Sequence, residues 1–218
     1  FRWVSMKLKH VIWDWNGTLI DDAHLCVEIV NGILVSKDLA PVTLDFYRDH
    51  FHFPVSSYYE LLGLTEPPYD LAEISERFIT NYRERSSELL LQPYTLETLS
   101  SLREMGIRQS VLSAGLQSDV QHFLKAFDLD SFMHFVSGVD NVNAEGKSSL
   151  AQSHFLRTGC HPNEVLLVGD TILDDEIAQS LSVKGLLVTN GHNSPYALRN
   201  SNSSRIQSLS DFSGWLHC

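Results

Sequence analysis

Four short stretches carry the apolar density of strands: "HVIWDW" (10–15), "RQSVLSAG" (108–115), "EVLLVGD" (164–170) and "GLLVTNG" (185–191). "HFVSGV" (134–139) is a weaker fifth. Turn residues bound each one, and most are apolar on both faces, as in parallel strands covered by helices on either side. Between them apolar positions recur at helical spacing. "TLETLSSLREMG" (95–106) places Gly106 as a cap just past a helix. "LQSDVQHFLKAFDL" (116–129), "GKSSLAQSHFLRTG" (146–159) and "ILDDEIAQSLSV" (172–183) follow. This alternation predicts an α/β fold with a doubly wound, Rossmann-like parallel sheet.

Residues 22 to about 90 break the rhythm. No strand-like run occurs there. "AHLCVEIVNGILVSK" (23–37), "TLDFYRDHF" (43–51), "SSYYELLGL" (56–64) and "DLAEISERFITNYRERSSELL" (70–90) read as helices, punctuated by Pro41, Pro54 and "EPP" (66–68). The expected organisation is an α/β core of residues 1–21 and 91–218, with a small all-helical insert, 22–90, between the first two strands of the sheet. "RNSNSSR" (199–205) reads as a polar surface loop at most.

Composition narrows the partners. The chain has 218 residues with 43% hydrophobic content, enough for one full core and a smaller second unit. A net charge of -11 argues against nucleic acid and anionic membrane surfaces, and no stretch approaches a membrane span. An anionic substrate would then need a metal or a few well-placed cations. Cys26, Cys160 and Cys218 are far apart and odd in number, which argues against a disulfide framework or zinc knuckle and for a reducing, cytoplasmic setting. "FRWVSMKLKH" is no signal peptide, and Met6 is a candidate start, residues 1–5 then being an extension upstream.

Ligands of open α/β sheets bind at the carboxyl ends of the strands. The first strand here ends in Asp14. The second ends in Ser113, followed by Ala114 and Gly115. Lys147 opens the helix after the weaker strand. The fourth strand ends in Gly169-Asp170-Thr171, with Asp174 and Asp175 just beyond. Singly, each has a bland reading: an acid at a strand end commonly caps a turn, and acids after "GDT" favour a helix start. Four such signals at separate strand ends are a different matter. Converging carboxylates repel unless a hard cation joins them, and Mg²⁺ is the expected one. A cation, a lysine, a hydroxyl and backbone N–H groups around a carboxylate nucleophile make a phosphoryl-transfer site.

The motifs "VIWDWNGT", "SVLSAG", "EGKSSLA" and "VGDTILDD" together resemble the haloacid dehalogenase superfamily of aspartate-nucleophile hydrolases. The nearest resemblance is to members called phosphoglycolate phosphatase-like, and the helical insert looks like that family's C1 cap. The resemblance implies that Asp14 attacks phosphorus and forms an aspartyl-phosphate. It implies Mg²⁺ held by the side chains of Asp14 and Asp170 and the backbone carbonyl of Asn16, with Asp174 (or Asp175) holding a metal-bound water. Ser113 and the Ala114 N–H would grip phosphate oxygens, and Lys147 would balance charge.

Asn16 departs from the pattern, because phosphatases of this family carry an acid–base Asp there. An amide keeps the carbonyl ligand but cannot transfer a proton, a loss worth roughly 10²–10⁴-fold in rate. Three readings stand open. A group of "YRDHFHFP" (47–54) substitutes, with Arg48, His50 and His52 as candidates; the substrate has a good leaving group, such as an acyl or phenolic phosphate; or the chain is slow or silent. The expected activity is Mg²⁺-dependent hydrolysis of a small phosphorylated metabolite by a monomer or homodimer. The rivals are a silent protein that binds a phosphorylated ligand or partner, and a phosphotransferase or mutase. Trp13 and Trp15 flank the nucleophile and are expected to pack, with Trp15 facing the cap opening. "NGHNS" (190–194) is expected at the rim of the site.

Overall fold

The computed structural model describes residues 8–65, 69–141, 144 and 146–217. Met6, the "EPP" punctuation at 66–68, Glu145 of the third motif and Cys218 lie outside the described residues. The elements run β1 (His10–Trp13), β2 (Ile20–Asp21), α1 (Ala23–Ser36), α2 (Leu44–His50), α3 (Val55–Leu61), α4 (Leu71–Glu84) and β3 (Leu90–Leu91). Then come α5 (Thr95–Glu104), β4 (Arg108–Leu116), α6 (Gln117–Ala126), β5 (Phe135–Val139), α7 (Lys147–Thr158), β6 (Val165–Gly169), α8 (Ile172–Ser180), β7 (Lys184–Val188), β8 (Ser204–Ile206) and α9 (Phe212–Leu216).

Six strands form a parallel sheet in the order β5-β4-β1-β6-β7-β8. β1 lies between β4 and β6, with Ile12 opposite Ser110 on one side and Leu167 on the other. Successive residues of a strand point to opposite faces, and the packing follows that period. Val11 and Trp13 join one apolar cluster with Leu166, Val168 and Leu99. Ile12 joins the other, with Leu112, Leu167, Phe155 and Ile177. Both faces are therefore covered, which is why these strands read as nearly continuous apolar runs.

The insert is helical, with α1 to α4 between β1 and β4. The reading of a single helix from 70 to 90 is too long: α4 ends at Glu84, and Leu90–Leu91 pairs antiparallel with Ile20–Asp21. This two-residue ribbon closes the neck where the chain leaves and re-enters the sheet domain. The polar loop expected at 199–205 also needs correction. Its end enters β8, which pairs with β7 through backbone bonds and buries only Ile206. An edge strand needs little apolar side chain, so periodicity gave no sign of it.

Candidate active site

Four strand ends bring the expected residues together. Asp14 follows β1, and its N–H donates to Val168 O of β6 at 2.8 Å. Lys147 is the first residue of α7 and is almost wholly buried. A buried ammonium needs charged partners; its Nζ donates to Asp14 Oδ1 and to Asp174 Oδ1, each at 2.6 Å. Asp170 follows β6 and accepts from Thr18 Oγ1 (2.8 Å) and the His192 N–H (2.6 Å). Asp174 sits in the first turn of α8, where its other oxygen accepts from Thr171 N (3.0 Å) and Thr171 Oγ1 (2.7 Å). The chain can pass this close to Asp170 only as glycine: Gly17 has φ +73°, and a Cβ there would lie 2.2 Å from Asp170 Oδ2.

The carboxylates of Asp14, Asp170 and Asp174 offer oxygens within 4.8 Å of one another, all buried. One ammonium cannot balance three of them. Burial raises the Asp14 pKa well above the usual carboxylate range; Lys147 opposes that, and Asp174 and Asp170 add to it. Burial likewise raises Asp170, to about 6, against the pull of His192 and with the push of Asp174. Lys147 is held charged: burial would lower its pKa, but Asp14 and Asp174 raise it further. The donor set is oxygen only, with charge to spare, which fits a hard divalent cation such as Mg²⁺. Asp175 faces elsewhere. It accepts from Gln179 Nε2 (2.6 Å), Ser203 N (2.7 Å) and Asn202 N (3.1 Å), and of the two acids it is Asp174 that joins the carboxylate cluster.

Ser113 and Ala114 lie where β4 slips its register against β5, between Leu112 and Leu116. Such irregularities re-aim side chains at sheet ends. Ser113 is fully buried, and its Oγ accepts from Gly115 N at 2.9 Å, leaving its O–H to donate. Ala114, Gly115 and Leu116 form the wall of the adjoining cavity.

Asn16 is held by a network that was not foreseen. Its Nδ2 donates to Asp22 Oδ2 (2.7 Å) and to Tyr82 OH (3.0 Å), and Tyr82 OH donates to Asp22 Oδ2 (2.8 Å). Asp22 Oδ1 accepts from Gly17 N (2.9 Å) and His192 Nε2 (3.0 Å). Burial raises the Asp22 pKa, but the bonds from His192, Asn16 and Tyr82 bring it below the ordinary value. Burial lowers His192, but Asp22 outweighs that and raises it to about 9, so the pair is ionic at neutral pH. His192 Nδ1 then donates to Tyr47 OH at 2.7 Å. Asp22, Cys26 and His192 also lie close enough to hold a metal, but the oxygens of Asp22 are already taken by these donors.

The cap candidates do not come to the site. His50 is exposed, stacked on Phe46 and bonded to Phe46 O at 2.8 Å; His52 is exposed and bonded to His50 O. Arg48 reaches Asn190 O at 2.5 Å. Neither histidine lines the cavity. The loop 190–194 reaches the site through His192, which lines the cavity and whose N–H bonds Asp170. Asn193 ties it to both units, accepting from Ile172 N and donating to Phe51 O. The signal was present as an His and an Asn just past the last buried strand, with nothing in the pattern to raise them above loop residues.

The profile of the haloacid dehalogenase-like hydrolases matches residues 11–188. The chain belongs to that family. Among curated relatives, a phosphoglycolate phosphatase of Agrobacterium fabrum is 28% identical over 193 residues, covering 83% of this chain and 80% of that protein. A pyrophosphatase PpaX of Bacillus pumilus is 23% identical, covering 81% of each. A solved haloacid dehalogenase-like hydrolase from Bacteroides fragilis shares the fold, with a TM-score of 0.82 at 20% identity over 94% of this chain and all of that one. These relatives support a phosphoric monoester hydrolase. Between floor and insert, this family member has a cavity bounded by Asp14, Asn16 and Lys147 on one side and by Tyr47, Phe51 and Tyr58 on the other.

Proposed function

We propose that the chain is a Mg²⁺-dependent phosphatase that hydrolyses a small phosphorylated metabolite, as a monomer or homodimer in the cytoplasm. The observation that carries this reading is the meeting of Asp14, Asp170 and Asp174 around one buried lysine at the strand ends. Asp14, Asp170 and the Asn16 backbone carbonyl would hold the ion directly, with Asp174 behind a bound water. When bound, the ion would neutralise the carboxylates and polarise a phosphoryl oxygen. The remaining work falls to the chain. Lys147 keeps one Asp14 oxygen anchored and leaves the other for in-line attack on phosphorus. Ser113 O–H and the Ala114 N–H would hold the phosphoryl oxygens. An Asp14–phosphorus bond forms as the ester P–O bond breaks; water then cleaves the aspartyl-phosphate and restores Asp14. The aromatic insert excludes bulk water during both steps.

Free Cys26 and Cys160 support a reducing compartment, and no described helix is long and apolar enough to cross a membrane. One observation favours a second reading, a slow or silent protein that binds a phosphorylated ligand: the amide of Asn16 cannot donate a proton as an acid does. Initial rates on acetyl phosphate and p-nitrophenyl phosphate, with and without millimolar Mg²⁺, decide between them. Turnover that needs Mg²⁺ and disappears in Asp14→Asn supports the phosphatase. Tight phosphate-ester binding without turnover supports the silent protein.

A further inference from the structure

The cavity over Asp14 is lined by aromatic and aliphatic side chains, among them Trp15, Phe51, Phe53, Tyr58, Phe78 and Phe123. Tyr47 and Tyr82 also line it; the Tyr47 oxygen accepts from His192, and the Tyr82 O–H donates to Asp22. Among the described residues that line it, the cationic groups are Lys147 and His192. Lys147 is shared between Asp14 and Asp174, and His192 is bonded to Asp22 and Tyr47. Asp119, another lining residue, is paired with Arg83. A second anionic group on a substrate, such as a carboxylate, would therefore meet ring faces and acids with no spare cation. Trp15 Nε1 and Tyr58 OH have no partner, but both atoms are buried away from the cavity, so it is the rings that line it.

A separate observation concerns the leaving group. A carboxylate only accepts hydrogen bonds, so Asp22 fixes the Asn16 amide with its nitrogen toward Asp22 and Tyr82. The Asn16 Oδ1 is then on the side of Gly115, where a Cβ would lie 3.5 Å from it. Both Nδ2 hydrogens of Asn16 are engaged and an amide has no acidic proton to give, so with no acid from Asn16 the departing oxygen leaves without its proton. A phenolic oxygen, with a conjugate acid of pKa about 10, does so far more readily than an alkanol oxygen, whose conjugate acid is as weak as water.

We infer that the substrate is an aryl phosphate: a phosphate ester of an uncharged aromatic ring, seated against the rings of the insert. The inference rests on the phosphatase reading above and names its substrate class. In the reaction, the bond from Asp14 Oδ to phosphorus forms as the bond from phosphorus to the aryl oxygen breaks, and the aryl oxygen leaves with the electron pair as a phenolate. Water then attacks phosphorus and the bond to Asp14 breaks. The proton released goes to the phenolate in solution, so the products are the phenol and inorganic phosphate.

Two measurements on the full chain with Mg²⁺ test this. The first compares kcat/KM for phenyl phosphate, benzyl phosphate, phosphoglycolate and acetyl phosphate. The second compares binding of phenylphosphonate and methylphosphonate by calorimetry, which needs no turnover. A single methylene in an apolar pocket is worth about 10–200-fold, so phenylphosphonate should bind at least about tenfold tighter than methylphosphonate. Phe78→Ala should narrow that ratio. Phenyl phosphate should exceed phosphoglycolate by at least about 10²-fold, and benzyl phosphate, which has the ring but an alkanol leaving group, should bind comparably to phenyl phosphate and turn over far more slowly. Phosphoglycolate turned over as well as phenyl phosphate would overturn the inference while leaving the phosphatase reading intact. If none of the four phosphates is hydrolysed, acetyl phosphate included, the phosphatase reading fails and the aryl ester falls with it as a substrate. Equal binding of the two phosphonates would overturn the aromatic site in either case.

Discussion

Asn16 and Asp22 are a matched pair. An amide beside a carboxylate forms a 2.7 Å hydrogen bond; two carboxylates at that distance, buried, would force one to take up a proton or move apart. Asn16→Asp should therefore not behave as a simple gain of a catalytic acid. It should lower stability by roughly 1–3 kcal/mol, the cost of a lost buried partner, and restore little activity toward alkyl phosphates. The swap Asn16→Asp with Asp22→Asn keeps one amide and one acid in contact. It should recover part of the stability, short of the parent because Asp22→Asn also removes the carboxylate paired with His192, and raise alkyl-phosphate rates by up to about 10²–10⁴-fold if the new acid reaches the leaving oxygen. Urea midpoints and rates on a leaving-group series for the two single variants and the double variant measure this. Additive stability losses in the double variant would mean that the two residues are not coupled.

At the scale of elements, legibility followed the amount of buried apolar side chain. The sheet strands β1, β4, β6 and β7 stood out because helices cover both faces. β8 did not, since Ile206 is its one buried residue. The carboxyl ends of β1 and β6 pointed to Asp14 and Asp170 because topology alone brings such ends together, and Ser113 lies just before the end of β4, where its register slips. His192, Asp22 and Tyr82 were not legible, because their meeting depends on how the 190–194 loop and α4 pack against the start of α1, and no local pattern records that. The two acids of α8 show the difference. Asp174 points to the site, whereas Asp175 takes the backbone N–H groups of Asn202 and Ser203 and so anchors the approach to β8. Asp175→Ala strands those donors and should cost about 1–3 kcal/mol of stability. Its kcat on p-nitrophenyl phosphate at a temperature below the transition should stay within about twofold of the parent. A tenfold fall in kcat without loss of stability would place Asp175 in the reaction instead.

At the scale of the whole molecule, the sheet ties its own buried polar chain to the proton concentration. His10 Nε2, Ser110 Oγ and His154 Nε2 are linked at 2.8 Å each, and His154 Nδ1 meets Ser137 Oγ at 2.8 Å. The chain crosses from β1 through β4 to α7, and both rings are fully buried. Burial, together with Arg108 and His134, lowers the His10 pKa to about 3; burial, with His10, Arg157 and Lys147, lowers His154 to about 3 as well. In the unfolded chain each would titrate at its usual value near 6.5. Between those two values the unfolded state binds more protons than the folded one, so stability falls as the pH drops below about 6.5. Above 6.5 both states hold the rings neutral and the effect vanishes. From pH 7 to pH 5 each imidazole should therefore cost on the order of 2 kcal/mol. Urea unfolding at the two pH values, for the parent and for His154→Gln, reads this directly. The variant starts less stable at pH 7 but should lose about 2 kcal/mol less than the parent on acidification, because it has one fewer ring to protonate on unfolding. Equal losses in the two proteins would show that the acid sensitivity resides elsewhere than in His154.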